Sequence, residues 1–326
     1  MLIPRRTALA ALSAPMVPLP ASRPARAQLF PNRPIKLLVG FAPGGATDIA
    51  ARLLQPLLGA ALGQPVVVEN RSGGGGNVAT EQLLRAEPDG YTLMLASPGQ
   101  LVVNPLLDPR PALEAARDAT PIGQTTSSPL VFVVPASSPY RAAASLVAAA
   151  RAHPGRMNYA SAGVGSSMHI AGEMLKAHGG LDITHIPYRG SGPAITDLVA
   201  GKVDFMIDSV STTMSPVRDG LLRALAQTGA SPAPELPDLP LLKEVVPGVV
   251  ITTWLGLVGP ARLPHPVVLR LSDALRDIVR GPVFTERLRQ LGSQAFWAGP
   301  EDFALHLTSE RERAADVLRR AGIRPE

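Results

Sequence analysis

The feature that most constrains the fold of this chain is a long alternation of apolar strand-type runs with helical patterns. Several runs are apolar on both faces, as expected for parallel strands that helices cover on each side. The alternation therefore predicts an α/β fold. Few residues are aromatic, 4%, which agrees with a core of Ala, Leu and Val. The predicted strands are IKLLV (35–39), VVVEN (66–70), YTLMLAS (91–97), LVFVVP (130–135), MNYAS (157–161), DITHIPY (182–188), VDFMIDS (203–209), LRALAQT (222–228) and TTWLGLVGP (252–260).

Helical patterns fill most of the intervals between these strands, and they dominate the C-terminal part of the chain. The length of 326 residues is enough for two domains of ordinary size. The predicted helices lie near 47–62, 77–87, 141–152, 167–178, 192–200 and 211–219, followed by 265–280, 282–291 and 300–321.

The first 27 residues have the composition of an export signal. Arg5 and Arg6 precede a modest apolar run, and Ala25-Arg26-Ala27 has the small-residue pattern of a cleavage site. The apolar run is too short to span a membrane. We therefore expect a signal peptide over residues 1–27, a mature chain that begins at Gln28 and a periplasmic location. The Arg pair permits export by the twin-arginine route as well as by the Sec route.

Charge and residue content exclude several kinds of site. The formal net charge is +5, but residues 1–27 hold four Arg and no acidic residue, so 27 basic and 26 acidic residues remain after them. That balance gives no reason to expect a nucleic-acid partner. The chain has no Cys, which excludes thiolate metal sites, and its six His show no H-x-x-x-H spacing. We expect neither a metal nor another cofactor.

The segment VGFAPGGATD (39–48) joins the first predicted strand to the first long helix. Gly44 and Gly45 free the backbone immediately before the helix begins. Free N–H groups at the positive end of a helix dipole suit an anion such as a carboxylate or a phosphate. The alternative is an ordinary turn in which Thr47 or Asp48 caps the helix. For Asp48 we favour capping, because its charge would repel an anion.

The segment NYASAGVGSSMH (158–169) repeats this plan of strand, small-residue turn and helix start. Gly163 and Gly165 free the backbone, while Ser166 and Ser167 offer a cap and hydroxyl donors. Ligands of open α/β sheets bind at the carboxyl ends of the strands, where such loops converge. Neither loop contains Lys or Arg, so neutral dipoles and waters would hold an anion between them. We expect the loops to face one cleft, and we expect bulk at Gly45 or Gly165 to weaken ligand binding.

Six segments, taken in their order along the chain, form a recognisable series. They are PIKLLVGFAPGGATD (34–48), GQPVVVENRSGGGGNVA (63–79), EPDGYTLML (87–95), HPGRMNYASAGVGSSMHIAGE (153–173), HIPYRGSGPAITDLVAGKVDFMID (185–208) and LRALAQT (222–228). This series resembles the substrate-binding receptors of tripartite tricarboxylate transporters, also called TctC or Bug-type receptors. The resemblance runs from about Pro34 to the C-terminus and departs from the family pattern in 104–122.

The resemblance implies an architecture and a function. It implies a two-lobed α/β periplasmic-binding-protein fold of type II character, with a doubly wound sheet in each lobe and a ligand cleft between them. The first lobe would comprise 28–128 and 253–326, and the second 129–252. It also implies a monomeric receptor, not an enzyme, that delivers a small carboxylate (a di- or tricarboxylate, an amino acid or an aromatic acid) to membrane permease subunits.

Two other functions remain open at this point. A ligand sensor for a signalling partner would keep the same fold and cleft. A hydrolase could use Ser166 and His169, with Asp208 as the third member of a triad, although no G-x-S-x-G motif occurs.

The resemblance also assigns ligand contacts to the two loops, residue by residue. His169 is either a donor to the ligand or a structural histidine bonded to a nearby carbonyl. Ser97, Tyr188 and Asp208 end predicted strands and are candidates for the cleft lining, although each alone is more simply a packing or turn residue. The assigned contacts are Phe41, Ala42, Gly44, Gly45, Thr47 and Asp48 in the first loop, and Ser161, Ala162, Gly163, Gly165, Ser166 and Ser167 in the second.

Overall fold

The computed structural model of the chain describes residues 30–107 and 115–320. The predicted signal peptide, the predicted start of the mature chain at Gln28 and part of the atypical 104–122 segment lie outside these residues. Within the described ranges, no helix is both long enough and apolar enough to cross a membrane.

Helices cover a sheet of ten strands in the described part of the chain. Short single-turn helices lie at Gly74–Gly76, Ala115–Asp118 and Leu242–Glu244, and a wider π-type turn lies at Gly99–Val103. The strands are β1 (Ile35–Val39), β2 (Val66–Asn70), β3 (Thr92–Ala96), β4 (Thr120–Pro135), β5 (Met157–Ser161), β6 (Ile183–Pro187), β7 (Phe205–Ser209), β8 (Leu222–Gln227), β9 (Thr252–Gly259) and β10 (Ala295–Ala298). The helices are α1 (Ala46–Leu62), α2 (Asn77–Leu84), α3 (Asn104–Leu107), α4 (Ala143–Ala152), α5 (Ser167–Gly179), α6 (Ser191–Val199), α7 (Val210–Arg218), α8 (His265–Arg280), α9 (Pro282–Gln290) and α10 (Pro300–Arg320).

The long strand β4 joins the two halves of the sheet. Eight strands follow the order β2-β1-β3-β9-β4-β7-β5-β6, and the other two, β8 and β10, also pair with β4. Its first part pairs with β9 as far as Pro129 opposite Thr252, and its second part pairs with β7 from Leu130 opposite Ser209. The predicted α/β fold class is confirmed, with one difference. The two lobes share β4, so their strands form one continuous hydrogen-bonded sheet instead of two separate ones.

Strands of both halves are buried on both faces, which explains their uninterrupted apolar runs. In β1, Leu37 packs with α1 and α8 while its neighbour Leu38 packs in the core on the opposite face, and both are fully buried. In β4, Phe132 and Val133 face two different cores in the same way. Helices on each side are therefore required to keep these strands from water.

The order of the strands brings four strand ends to one place. β1 is parallel to β3, and β5 is parallel to β7. Each of β1, β5 and β7 is followed closely by a helix, and β3 is followed by the π-type turn. The ends of these strands converge between the lobes, which is where an open α/β sheet places its ligands.

Candidate functional site

A cavity lies between the two lobes, at the ends of these strands. Its empty volume is about 720 Å³, measured out to the open mouth. A cavity of this size suits a small molecule. The lining comprises Phe41, Gly45, Ala46, Thr47, Ile49, Ala50, Ser97, Thr126, Ser128, Ala162, Ser166, Ser167, Met168, Ser191, Ser209, Val210, Ser211, Thr253, Leu255, Leu288 and Ser293.

The N-termini of four helices contribute to this lining. Gly45, Ser166 and Ser209 are the N-cap residues of α1, α5 and α7, and Ser191 is the first residue of α6. The first N–H groups of a helix have no partner within it, and the helix dipole places partial positive charge there. The convergence of four such ends makes the cavity electropositive without any cation.

The side chains of the lining are neutral. Every polar side chain in it is a Ser or Thr hydroxyl, and the remaining side chains, including Phe41 and Leu255, are apolar. Throughout residues 30–107 and 115–320, moreover, no group of three or more His, Cys, Asp or Glu side chains is placed to hold a metal ion. Among the described residues, the cavity therefore offers an anion N–H groups, hydroxyls and water, but no cationic side chain.

In the first loop, the Asp48 carboxylate closes the turn instead of facing the cavity. Gly44 has φ +81°, and its N–H donates to Asp48 Oδ2 at 2.9 Å. Arg52 and Asn70 also donate to this carboxylate, at 2.9 Å each. Burial opposes ionisation of Asp48, but these hydrogen bonds outweigh it and hold the pKa below its usual value. The Gly44 N–H is thus already bonded to Asp48, which corrects the expectation that it would donate to a ligand.

In the second loop, His169 has the corresponding role. Gly165 has φ +78°, and its N–H donates to His169 Nδ1 at 3.1 Å, so the imidazole binds the loop backbone as an acceptor. The Ser161 hydroxyl lies 2.6 Å from Nε2 of His185, and the His185 ring stacks on His169 with 4.3 Å between the centroids. Of the two interpretations of His169, this geometry favours the structural one, with a backbone N–H as the partner of Nδ1.

Some of the predicted site residues line the cavity, and others do not. Ala42 donates its N–H to the Arg189 carbonyl at 3.0 Å, and the Tyr188 hydroxyl donates to Asp197 at 2.9 Å. Asp208 is fully buried behind Ser191. The predicted residues that line the cavity are Phe41, Gly45, Thr47, Ser97, Ala162, Ser166 and Ser167, and those that do not are Ala42, Gly44, Asp48, Ser161, Gly163, Gly165, His169, Tyr188 and Asp208.

Several lining residues were missed by the sequence analysis, for two different reasons. Ser191 and Ser209 each begin a helix after a strand, so the strand–turn–helix signal used for the first two loops was available for them as well. Thr126 and Ser128 lie inside β4, and Thr253 lies inside β9. No local pattern shows that these strand interiors border a cavity, because the shared strand is a property of the tertiary fold.

Glycines bring the two lobes into direct backbone contact around the cavity. A Cβ built at Gly75 would overlap the carbonyl oxygen of Val164, and one built at Gly165 would overlap Oδ1 of Asn104. On the other side, a Cβ at Gly192 would lie 2.8 Å from the Pro43 carbonyl oxygen. The lobes are therefore in a closed arrangement that side chains at these positions would prevent.

Known proteins share this fold over nearly the whole chain. A family model described as "Tripartite tricarboxylate transporter family receptor" matches residues 50–323. A curated relative is the UPF0065 protein in the tcbD-tcbE intergenic region of Pseudomonas sp. (strain P51). It is 39% identical over 313 residues, which cover 95% of this chain and 93% of that protein. Protein BugT of Bordetella pertussis is 32% identical over 303 residues, covering 92% and 93% of the two chains.

Several solved structures also superpose on nearly the whole of this chain. Rpa4515 of R. palustris, solved with adipate, superposes with a TM-score of 0.88 at 32% identity and covers 91% of this chain and 100% of its own. MatC (Rpa3494) from Rhodopseudomonas palustris, with bound malate, gives 0.84 at 30% identity, covering 89% and 100%. The periplasmic binding protein BugD gives 0.86 at 32% identity, covering 91% and 100%. This chain therefore belongs to the receptor family of the tripartite tricarboxylate transporters.

Proposed function

We propose that the protein is a periplasmic receptor that captures a small carboxylate between its lobes and delivers it to the permease subunits of a tripartite tricarboxylate-type transporter. The observation that carries the proposal is the cavity itself, where four helix N-termini and a set of hydroxyls converge. Such a site favours an anion. The relatives solved with adipate and malate support a carboxylate as that anion.

The absence of a cation from the lining suits a transport receptor. Ion pairs buried between closed lobes would hold a carboxylate strongly and slow its release, whereas neutral donors and waters allow it to leave when the lobes open. A receptor that must pass its ligand to a permease needs release as much as capture. We propose that it acts as a monomer and performs no chemistry on the ligand.

The hydrolase alternative finds no support in the hydrogen bonds of its three residues. The Ser166 hydroxyl donates to the Gly163 carbonyl at 2.7 Å, and it accepts the backbone N–H of His169 at 3.2 Å. The Asp208 carboxylate accepts from Ser191 and Thr212, and His169 Nδ1 accepts from the backbone. Neither the hydrogen bonds of Ser166 nor the bond of His169 Nδ1 joins the imidazole to the serine hydroxyl. A sensor would use the same cavity, and neighbouring genes for two membrane subunits would favour transport.

A thermal-shift screen of organic acids at neutral pH tests the carboxylate proposal, and calorimetric titration then measures affinity for each hit. A ligand that binds only the folded state raises the melting temperature, and the increase grows with the ratio of ligand concentration to Kd. We expect at least one small carboxylate to raise it, and we expect neutral analogues such as the corresponding amides to have no effect. A panel in which amides stabilise as well as acids do would contradict an anion site.

Two neighbouring glycines provide a matched pair that tests capture by lobe closure. Gly75→Ala places a methyl group against the Val164 carbonyl of the other lobe, whereas the same change at Gly74 meets the Asn77 side chain of its own lobe, at 3.4 Å or more. Both glycines have positive φ, +61° and +53°, so the backbone strain is similar. We expect Gly75→Ala to bind the identified acid at least tenfold more weakly than Gly74→Ala. Equal affinities would show that binding does not depend on closure.

Export makes a separate prediction. Protein recovered from a periplasmic fraction should have the intact mass of a chain that begins at Gln28. A cytoplasmic chain that retains Met1 would contradict the proposed location.

A further inference from the structure

Asp208 is a buried charge that the proposed capture of a carboxylate does not explain. It lies in β7 at the start of α7, with no exposed surface. Its carboxylate accepts the Ser191 hydroxyl at 2.8 Å, the Ser209 N–H at 2.7 Å and the Thr212 hydroxyl at 2.9 Å. Two of these three donors, Ser191 and Ser209, line the cavity. An acidic group thus lies directly behind the wall of a site that favours anions.

The bond to Asp208 determines what the Ser191 side chain can offer a ligand. A serine hydroxyl has one hydrogen and two acceptor lone pairs. Burial raises the pKa of Asp208 to about 6 despite its three hydrogen bonds, so in neutral solution the carboxylate is mostly ionised and can only accept. The hydrogen of Ser191 is therefore directed at Asp208, which leaves lone pairs for the cavity. Ser191 presents an acceptor.

Two other hydroxyls of the lining have the reverse polarity. Thr126 Oγ1 accepts the Leu255 N–H at 3.1 Å, and Ser128 Oγ accepts the Gln294 N–H at 3.3 Å. Since these hydroxyls already accept from the backbone, their hydrogens are left to donate to a ligand. The N-terminus of α5 adds further donors, since Ser167 lies beside Thr253, which pairs with Ser128. A ligand carboxylate is therefore better placed against these groups than against the hydroxyl of Ser191, whose neighbour Asp208 carries a like charge.

We propose that the Ser191–Asp208 pair determines ligand class, so that the receptor prefers carboxylates that carry a hydroxyl or ammonium group over unsubstituted ones. The donor group of the ligand would reach Ser191 while its carboxylate meets the Thr126 and Ser128 hydroxyls and the N-terminus of α5. An unsubstituted acid has no donor for the remaining lone pairs of Ser191, so it would forgo this hydrogen bond. Ser191 is the contacting residue, and Asp208 is a positioning residue that acts through it. The inference rests on the proposed carboxylate function.

Matched acids that differ in one substituent test this proposal. Titration calorimetry at pH 7.5 compares lactate with propionate, malate and aspartate with succinate, and 2-hydroxyglutarate and glutamate with glutarate. For the chain length that binds best, we expect a donor-bearing acid to bind at least tenfold more tightly than its unsubstituted partner. An unsubstituted acid that binds as tightly would overturn the proposal while leaving the carboxylate function intact. Failure of every acid in the panel would overturn both.

Three variants connect the preference to the pair. Asp208→Asn offers Ser191 an amide that can donate, which frees the serine hydrogen for the ligand, so the preference should fall below twofold. Ser191→Ala should abolish it too. Thr212→Val removes another hydrogen bond to Asp208 without changing the lining, so it should keep the tenfold preference.

Circular dichroism and thermal unfolding confirm the fold of each variant before titration. If Asp208→Asn fails to fold, Ser191→Ala and Thr212→Val still decide the question, because only Ser191→Ala removes the acceptor. If Ser191→Ala still prefers donor-bearing acids over unsubstituted ones, a group other than Ser191 recognises the substituent, and the proposal is wrong.

Discussion

The loops 40–48 and 161–169 have the same backbone plan but different partners. In each, a glycine of positive φ precedes the helix, and its N–H donates to a side chain four residues later: Gly44 to Asp48, and Gly165 to His169. The first loop is closed by a carboxylate within a charged network, the second by a neutral imidazole within an aromatic stack. A Cβ added to Gly165 would meet the opposite lobe, whereas one added to Gly44 would meet nothing within 4 Å. Similar sequence patterns thus produce similar turns in the two loops. The loops differ in the charge of the side chain that closes the turn and in their contacts across the cleft.

The largest difference between the loops should appear when the side chain that closes each turn is removed. Asp48→Ala deprives the Gly44 N–H, Arg52 and Asn70 of one shared, nearly buried acceptor, and we expect a loss of about 3 kcal/mol in the free energy of unfolding. His169→Ala removes a neutral bond and a ring contact, and it should cost about 1 kcal/mol. Urea denaturation measures both. A His169 variant that loses as much as the Asp48 variant would contradict the difference in electrostatics.

Contact across the cleft should have the next largest effect. Gly165→Ala strains a positive φ and drives a methyl group into Oδ1 of Asn104, whose amide nitrogen is held by the Gly75 carbonyl at 3.1 Å. We expect ligand affinity to fall by about 2 kcal/mol, or roughly thirtyfold, because the closed arrangement is hindered. Gly165 acts here through the opposite lobe, since it does not line the cavity.

A double variant shows whether this loss arises from the cross-lobe contact. Adding Asn104→Ala to Gly165→Ala removes the obstructing amide, so part of the affinity should return. Non-additivity of the two changes, measured by calorimetry in a double-mutant cycle, is the expected sign of direct coupling. Strictly additive losses would attribute the effect to backbone strain alone.

Acidification should weaken the region of the second loop and spare the first. Burial, followed by the nearby His169, lowers the pKa of His185 from 6.5 to about 4. Its neutral form therefore stabilises the fold fully above pH 6.5, and this contribution is lost as the pH falls toward 4. Glu173 and Lys176 act on this pKa in opposite directions, and the Tyr159 ring stacks on His185. The lowered pKa of Asp48, in contrast, preserves the first loop until the pH drops below 3.8.

Unfolding free energies of the parent and of His185→Phe at pH 7 and pH 4.5 measure this effect. We expect the parent to lose on the order of 1.5 kcal/mol more than the variant, a figure already reduced for the partial exposure of the ring. The pKa of Asp208 is raised to about 6, so that group acts in the opposite direction and loses stability as the pH rises. Because Asp208 is present in both proteins, the comparison cancels it. Equal losses in the two proteins would exclude His185 as the acid-sensitive group.

The local plan of both loops was predictable from the sequence, and their environment was not. Glycine pairs between an apolar run and a helical pattern indicate a strand–turn–helix, and the helices predicted at 265–280 and 282–291 match α8 and α9 to within one residue. The same pattern predicted that the loops would face each other. Whether Asp48 points at a ligand or at the Gly44 N–H depends on where Arg52 and Asn70 lie, and Asn70 comes from another strand.

The hardest residues to identify were those whose role depends on a partner far away in the sequence. Asp208 was singled out as the end of a strand, but its bond to Ser191 joins residues from two different elements. Thr126 and Ser128 border the cavity only because β4 passes from one lobe to the other. Local periodicity identifies the strand, but it does not predict that the strand passes from one lobe to the other.

The smallest effect should come from the glycine of the first loop that matches Gly165. Gly44 has nearly the same positive φ, but a Cβ built on it meets nothing within 4 Å. Gly44→Ala should therefore cost only the strain of the left-handed conformation, about 1 kcal/mol in the free energy of unfolding. Its effect on ligand affinity should stay below twofold, because no atom of the other lobe has to move. Urea denaturation with parallel calorimetric titration separates the two quantities. If Gly44→Ala weakens binding as strongly as Gly165→Ala, positive φ itself controls affinity in both loops, and the cross-lobe contact of Gly165 is not what distinguishes them.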